Sequence, residues 1–174
     1  MKKAIVGLML LLGACATTPA RPPVATVPQV DLARYAGTWF EIARLPNSFQ
    51  DGGDRGCTAT TATYTPQPDG KVGVVNRCLA HDGTPRIAEG SAYAVEGSGN
   101  ARLRVSFFWP FYGDYWVIGL DPAYRWAVVG APGRDYLWIL ARRPSLAPGD
   151  YSEAVGIAAQ QGFEVTRLQT TPQP

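Results

Sequence analysis

Gly37-Thr38-Trp39-Phe40-Glu41-Ile42-Ala43-Arg44-Leu45-Pro46 is the stretch whose reading decides the fold. It follows a short segment, Leu32 to Tyr35, and opens a long series of strand-like runs. Outward from it, such runs recur at roughly eight- to twelve-residue spacing with turn residues between them, the rhythm of a sandwich or barrel. They predict strands over 38–44, 57–65, 71–79, 86–95, 101–108, 114–120, 125–130 and 136–142. Pro66-Gln67-Pro68-Asp69-Gly70, His81-Asp82-Gly83, Gly97-Ser98-Gly99-Asn100, Asp121-Pro122 and Ala131-Pro132-Gly133 mark the turns. One helix is predicted from Tyr151 to Gln161, with Asp150 as N-cap and Gly162 at its C-terminal end. Phe163-Glu164-Val165 reads as a last short strand. Eight strands and then a helix, with no β–α alternation, predict an all-β fold: an eight-stranded antiparallel up-and-down β-barrel with one C-terminal α-helix packed outside.

The first thirty residues read as targeting and tether. Lys2 and Lys3 precede an apolar run from Ala4 to Leu12, which has the length of a signal-peptide core and is too short to span a bilayer. It ends in Leu12-Gly13-Ala14-Cys15, which resembles the lipobox of bacterial lipoproteins, where cleavage precedes an acylated Cys. The reading divides the chain into a lipoprotein signal peptide (1–14), a lipidated Cys15 with a Pro/Thr-rich tether (15–30) and the folded domain (31–174). Each buried methylene adds about 0.8 kcal/mol, so two or three palmitate-length chains hold a membrane firmly. Ala16 is not the Asp that commonly retains such proteins in the inner membrane, so the resemblance implies the outer membrane, periplasmic face.

The whole chain carries 16 basic and 14 acidic residues; without Lys2 and Lys3 the mature protein is formally neutral. No basic run is interleaved with aromatics, which excludes a nucleic-acid partner. With Cys15 acylated, Cys57 and Cys78 remain as a pair in an oxidising compartment, and a disulfide is predicted. A four-residue loop at 66–69 sets Thr65 opposite Gly70, so paired numbers add to 135, as those of Cys57 and Cys78 do. A closed loop of about 20 residues is worth about 3 kcal/mol in the chain-entropy account. No metal constellation then remains, no Gly-x-Ser-x-Gly elbow is present, and no cofactor is implied. His81 reads as a solvated turn residue.

Gly-x-Trp on the first strand and Tyr136-Leu137-Trp138-Ile139-Leu140-Ala141-Arg142-Arg143-Pro144 at the far end resemble the lipocalin family. The longer Gly-x-Trp-aromatic-Glu-Ile-Ala-Arg-Leu-Pro is similar to its bacterial lipoprotein and apolipoprotein D-like subgroup. Asp114-Tyr115 stands where the family's second motif lies, with Gly113 in place of its Thr. The resemblance implies that Arg142 stacks on Trp39 and closes the barrel floor, making a cup rather than a tube. It also implies a small hydrophobic ligand.

Alternation along strands then sets the lining. If Arg142 points inward, so do Leu140, Trp138 and Tyr136; if Trp39 does, so do Glu41 and Ala43, while Phe40, Ile42 and Arg44 face out. Trp116 and Ile118 are further wall candidates. A buried Glu41 then needs a partner. Loop counting places 45–56, 80–85, 108–113 and 131–135 at the open end. The aromatic connection there, with Phe108, Trp109 and Tyr112, reads as a greasy lip for an acyl chain or as a membrane contact. Arg55, Arg86 and Arg134 lie near the mouth and are candidates to meet a head group. The predicted function is binding of a fatty acid or lysophospholipid for storage or transport in the envelope, with the membrane reached through Cys15. A homodimer across the mouth is left open. The rivals are a lipocalin-fold enzyme, with Glu41 and Tyr136 as first candidates, and a structural lipoprotein with a filled barrel.

Overall fold

The computed structural model describes residues 21–52 and 56–174; Cys15 and Arg55 fall outside them. In order, the elements are α1 (Leu32–Tyr35), β1 (Gly37–Arg44), α2 (Ser48–Asp51), β2 (Thr58–Pro66), β3 (Val72–Leu79), β4 (Pro85–Ala94), β5 (Arg102–Phe108), β6 (Phe111–Leu120), β7 (Trp126–Gly130), β8 (Leu137–Ala141), α3 (Pro148–Gln160) and β9 (Gln169–Thr170). Each of β1 to β8 pairs antiparallel with the next, and β8 pairs back to β1, which closes the barrel. The all-β, eight-stranded barrel with its outer C-terminal helix is as expected; β9 is an addition. It sits on Ala43–Arg44, where β1 has parted from β2. The segment 163–165, read from sequence as a strand, instead leads into a 3-10 turn, Val165–Arg167, that carries the chain to β9.

Two apolar clusters divide the molecule. One fills the lower barrel and includes Tyr35, Trp39, Tyr64, Val72, Val74, Leu103, Val117, Val129 and Leu140. The other lies between the outer wall and α3, around Ile118, Trp126, Val128, Ile139, Ala154, Ala158 and Phe163. The small residues Ala154 and Ala158, fully buried, let α3 lie close to the sheet. The helix starts three residues before its predicted start, because Pro148 occupies the first turn, where its missing N–H costs nothing. Asp150 is therefore a first-turn carboxylate rather than the cap; it accepts from Arg125, which also holds Asp121 in the β6–β7 turn. Gly162 takes a φ of +81° just past the helix, as its placement there predicted.

Bulges overturn part of the alternation. The register of β1 on β8 shifts between Glu41 and Ala43. Glu41 thus keeps the inward side with Trp39, Ala43 joins the outer cluster, and Arg44 turns in. The β6–β7 register likewise shifts between Val117 and Gly119. The β2–β3 turn is longer than expected, pairing Thr65 with Gly73 rather than Gly70. Cys57 and Cys78 are not directly opposed; a further shift between Thr58 and Thr61 brings their Cα atoms to 5.4 Å, and the disulfide is formed.

The stretch read as a tether is held to the barrel from residue 21 onward. Arg134 donates to the carbonyl of Pro22, Val27 N–H bonds Val117 at 2.9 Å, and Val30 N–H bonds Gly99 at 2.8 Å. Val24 and Val30 are buried. Isolated valines in a Pro-rich stretch have no periodicity to betray them, but the barrel wall supplies the apolar partner.

Candidate functional site

The floor is built around Trp39. Asp31 caps α1 through the N–H groups of Ala33 and Arg34, and α1 crosses the end of the barrel. The indole of Trp39 is fully buried and donates to the carbonyl of Tyr35 at 2.8 Å. The Arg142 guanidinium lies 3.9 Å above the ring and donates to the carbonyls of Thr38 and Arg34. Three phenols stand above this plug: the hydroxyl of Tyr115 is 2.8 Å from those of both Tyr35 and Tyr64. Burial pushes all three well above the usual phenol range, so they stay neutral.

On the inward side of β1, toward the mouth, a polar cluster replaces the apolar filling. Arg44 donates to Glu41 at 2.9 Å and to the hydroxyl of Thr171 at 3.0 Å, and it pairs with Asp51. Gln50 donates to the other Glu41 oxygen at 2.8 Å and accepts from the Trp138 indole at 3.0 Å. Burial works against the ionised Asp51, but the Arg44 hydrogen bonds and the Asn47 N–H outweigh it and hold its carboxyl below the usual range. Asn47 N-caps α2, which fixes Gln50 and Asp51 in place. The C-terminal segment completes the cluster: Thr171 N–H bonds Ile42, and Gln173 bridges the carbonyls of Glu41 and Thr60 across the parted strands.

Burial along the inward faces falls from floor to mouth. On β4 Ala92 is buried, Gly90 is half-buried and Ala88 is exposed, although alternation puts all three on one side. β3 runs from buried Val72 and Val74 to half-buried Asn76, and β5 from buried Leu103 to half-buried Val105 and Phe107. β8 goes from Leu140, buried, to Trp138, half-buried. Inward-facing side chains are thus packed at the floor and more accessible toward the mouth. Two buried polar atoms on β2 and β3, Thr60 Oγ1 and Asn76 Oδ1, have no hydrogen-bond partner among the described residues.

The predicted lining residues therefore separate. Leu140 and Trp138 belong to the inner cluster. Tyr136 lies at the rim, stacked on Trp138 with centroids 5.8 Å apart and covered by Phe49 of α2. Trp116 and Ile118 face the outer cluster instead; Tyr115 and Val117 hold the inward positions. Trp116 carries Arg102 on its ring at 4.4 Å. Phe108 and Trp109 stand in solvent, and Tyr112 packs edge-on against Tyr93 rather than over the cup. Arg134 is a structural clamp that donates to the carbonyls of Gln161 and Pro22, not a head-group contact. Arg86 stands at the mouth end of β4, opposite Cys78. His81 is exposed. Glu41 and Tyr136 do not form a joint site, since Glu41 is taken up by Arg44, Gln50 and Thr171. Sequence reasoning missed Arg44, Gln50 and Thr171. Only the demand of Glu41 for a partner pointed toward them.

Comparison with known proteins agrees with this architecture. The lipocalin-like domain matches residues 30–173. The outer membrane lipoprotein Blc of Citrobacter freundii is 41% identical over 98% of this chain and 95% of its own length. Bovine (Bos taurus) apolipoprotein D is 32% identical over 98% of this chain and 88% of its own. In structure, insecticyanin from the tobacco hornworm Manduca sexta superposes with a TM-score of 0.72, covering 89% of this chain and 87% of its own at 18% identity, a likeness of fold alone. A closed floor, a ring of eight strands with an outer helix, and these matches across nearly the whole sequence lead to one conclusion: the chain belongs to the lipocalin family.

Proposed function

We propose that this protein is an outer-membrane lipoprotein that holds one fatty acid, lysophospholipid or similar amphiphile in the barrel, for storage or transport in the envelope. The observation that carries this reading is the burial gradient: inward-facing side chains are sealed below Leu140 and accessible around Trp138, Phe107 and Ala88. An acyl chain would lie along Phe107, Val105 and Trp138. Its polar head would stay near the mouth, within reach of Thr60 and Asn76 and below Arg86. Eight-stranded barrels have room for one small ligand. The names of the relatives, which include outer membrane lipoproteins, support the location. On this reading the signal peptide is 1–14, Cys15 carries the acyl groups and the anchor faces the periplasm. No chemical step is assigned: the charged groups of the cup are engaged in the Glu41–Arg44–Asp51 cluster, which holds α2 and the C-terminal segment.

The test is native mass spectrometry on an exported, acyl-free form that keeps residues 21–174, titrated with fatty acids and lysophospholipids. Saturable uptake of one amphiphile per chain is expected. A folded, disulfide-intact protein that takes up none would refute the reading.

A further inference from the structure

We infer that the β5–β6 hairpin is a membrane foot: its aromatic tip enters a phospholipid bilayer and sets the mouth of the cup against the lipid surface. Phe108, Trp109 and Phe111 are 80%, 82% and 76% exposed. Large aromatic residues are rarely left so bare on one turn, and a cluster of them marks an interaction surface. Strand pairing to the neighbouring strands stops short of the tip, although Tyr112 still packs on Tyr93 of β4. Phe108 pairs with Phe111, but the register of β4 on β5 ends at Ser91–Ser106, and that of β6 on β7 begins at Trp116–Gly130. The stretch 105–113 carries no charge. The nearest charges on the two strands, Arg104 and Asp114, neutralise each other at 2.9 Å. Entry of the tip into lipid therefore strips no unpaired ion of water. Trp109 suits the depth where an indole meets head groups.

Two further observations select a bilayer as occupant. Among the described residues, the other large apolar side chains exposed around the same end are Phe49, Leu79 and Ile87, so the bare surface rings the mouth rather than one loop. The described chain also begins at that end: Arg21 donates to Gly162, and Pro22 is held by Arg134 in the β7–β8 turn. Cys15 lies six residues before Arg21, a reach of at most about 21 Å. An acyl anchor there would hold the hairpin end, not the floor, toward the membrane. The inference rests on the lipoprotein reading for that anchor, and on the hairpin itself for insertion.

The experiment reconstitutes the full mature chain into phosphatidylethanolamine–phosphatidylglycerol vesicles containing brominated phospholipid and compares it with Trp109→Phe. Of the other four tryptophans, Trp39 and Trp126 are buried and Trp116 and Trp138 half-buried; all four are common to both proteins, so the Trp109 contribution is read by difference. Strong quenching of the parent and loss of most of it in Trp109→Phe is the expected result. Phe108→Ser with Phe111→Ser keeps the reporter and should shift it to a shallower position. Equal quenching in parent and Trp109→Phe overturns the foot. So does a Trp109 emission already blue-shifted without vesicles in a species of doubled mass, which would make the hairpin a dimer contact. The intact mass of the same sample reports acylation at Cys15 separately. If acyl groups are absent, the anchor reading fails, and the foot stands or falls by the same quenching difference on vesicles mixed with the unanchored protein.

Discussion

Arg44 and Glu41 both point into the barrel and meet at 2.9 Å, although they stand three positions apart on one strand. Unbroken alternation would put them on opposite faces. The register shift beyond Glu41 brings them together, and Asp51, Gln50 and Thr171 gather on the pair. Removing one member of such a buried group leaves the others uncompensated. Arg44→Met should therefore lower stability by about 3–5 kcal/mol. Glu41→Gln in the same background should recover part of it, because one stranded charge goes with it. Urea unfolding of the two variants and the parent decides this. A loss under about 1 kcal/mol in Arg44→Met would show that the cluster is well solvated.

The phenols of Tyr35, Tyr64 and Tyr115 predict an alkaline limit. Their folded pKa values are raised, chiefly by burial, so the folded state favours the protonated form. The contribution is fully present below the unfolded phenol value of about 10 and is lost as pH rises above it. Phenolate absorbance from three of the eight tyrosines should appear only together with loss of β-sheet circular dichroism. Full titration of all eight in a folded barrel would contradict the burial of this trio.

Gly130 ends β7 beneath the ring of Phe163, and a Cβ there would stand 2.5 Å from Phe163 Cζ. The ring is buried in the outer cluster and cannot swing away freely. Gly130→Ala should cost about 1–3 kcal/mol, and a smaller Leu at 163 should relieve much of it. Thermal unfolding of the single and double variants measures the coupling. Independent, additive effects would show that α3 and its following turn do not press on the wall as described.

Much of the barrel was legible in the chain. Trp39 and Arg142, eight strand runs and their turns led to the closed floor, and four loops fell at the mouth as counted. Part of what was not legible comes from bulges. A bulge adds one residue and flips everything beyond it, yet Ile42 and Ile118 look like any strand residues. Ala43 and Arg44 exchanged faces for that reason; Trp116 and Ile118 lie outside, and Tyr115 and Val117 within, because the phase of β6 is set by its pairing with β5 beyond the aromatic turn. The Cys57–Cys78 bond formed although the longer turn moves the register by three and the bulge before Thr61 recovers only one, so the two cysteines bond across a diagonal offset. Contacts made by irregular segments, such as Val24 or Thr171, carry no periodic signal at all.

Trp138 lies at the centre of the functional account: it is inward, half-buried, stacked by Tyr136 and tied to Gln50. The most direct measurement is a lipid titration of the exported, acyl-free protein beside its Trp138→Arg variant, with circular dichroism and thiol content recorded on the same samples. The account predicts saturable binding of one fatty acid or lysophospholipid per parent chain. It also predicts at least a hundredfold weaker binding in a Trp138→Arg protein that keeps its sheet signal and its disulfide, a cost of about 2.7 kcal/mol for placing a charge in the acyl path. Equal affinity in the two folded proteins, or no saturable binding by the parent, would contradict it.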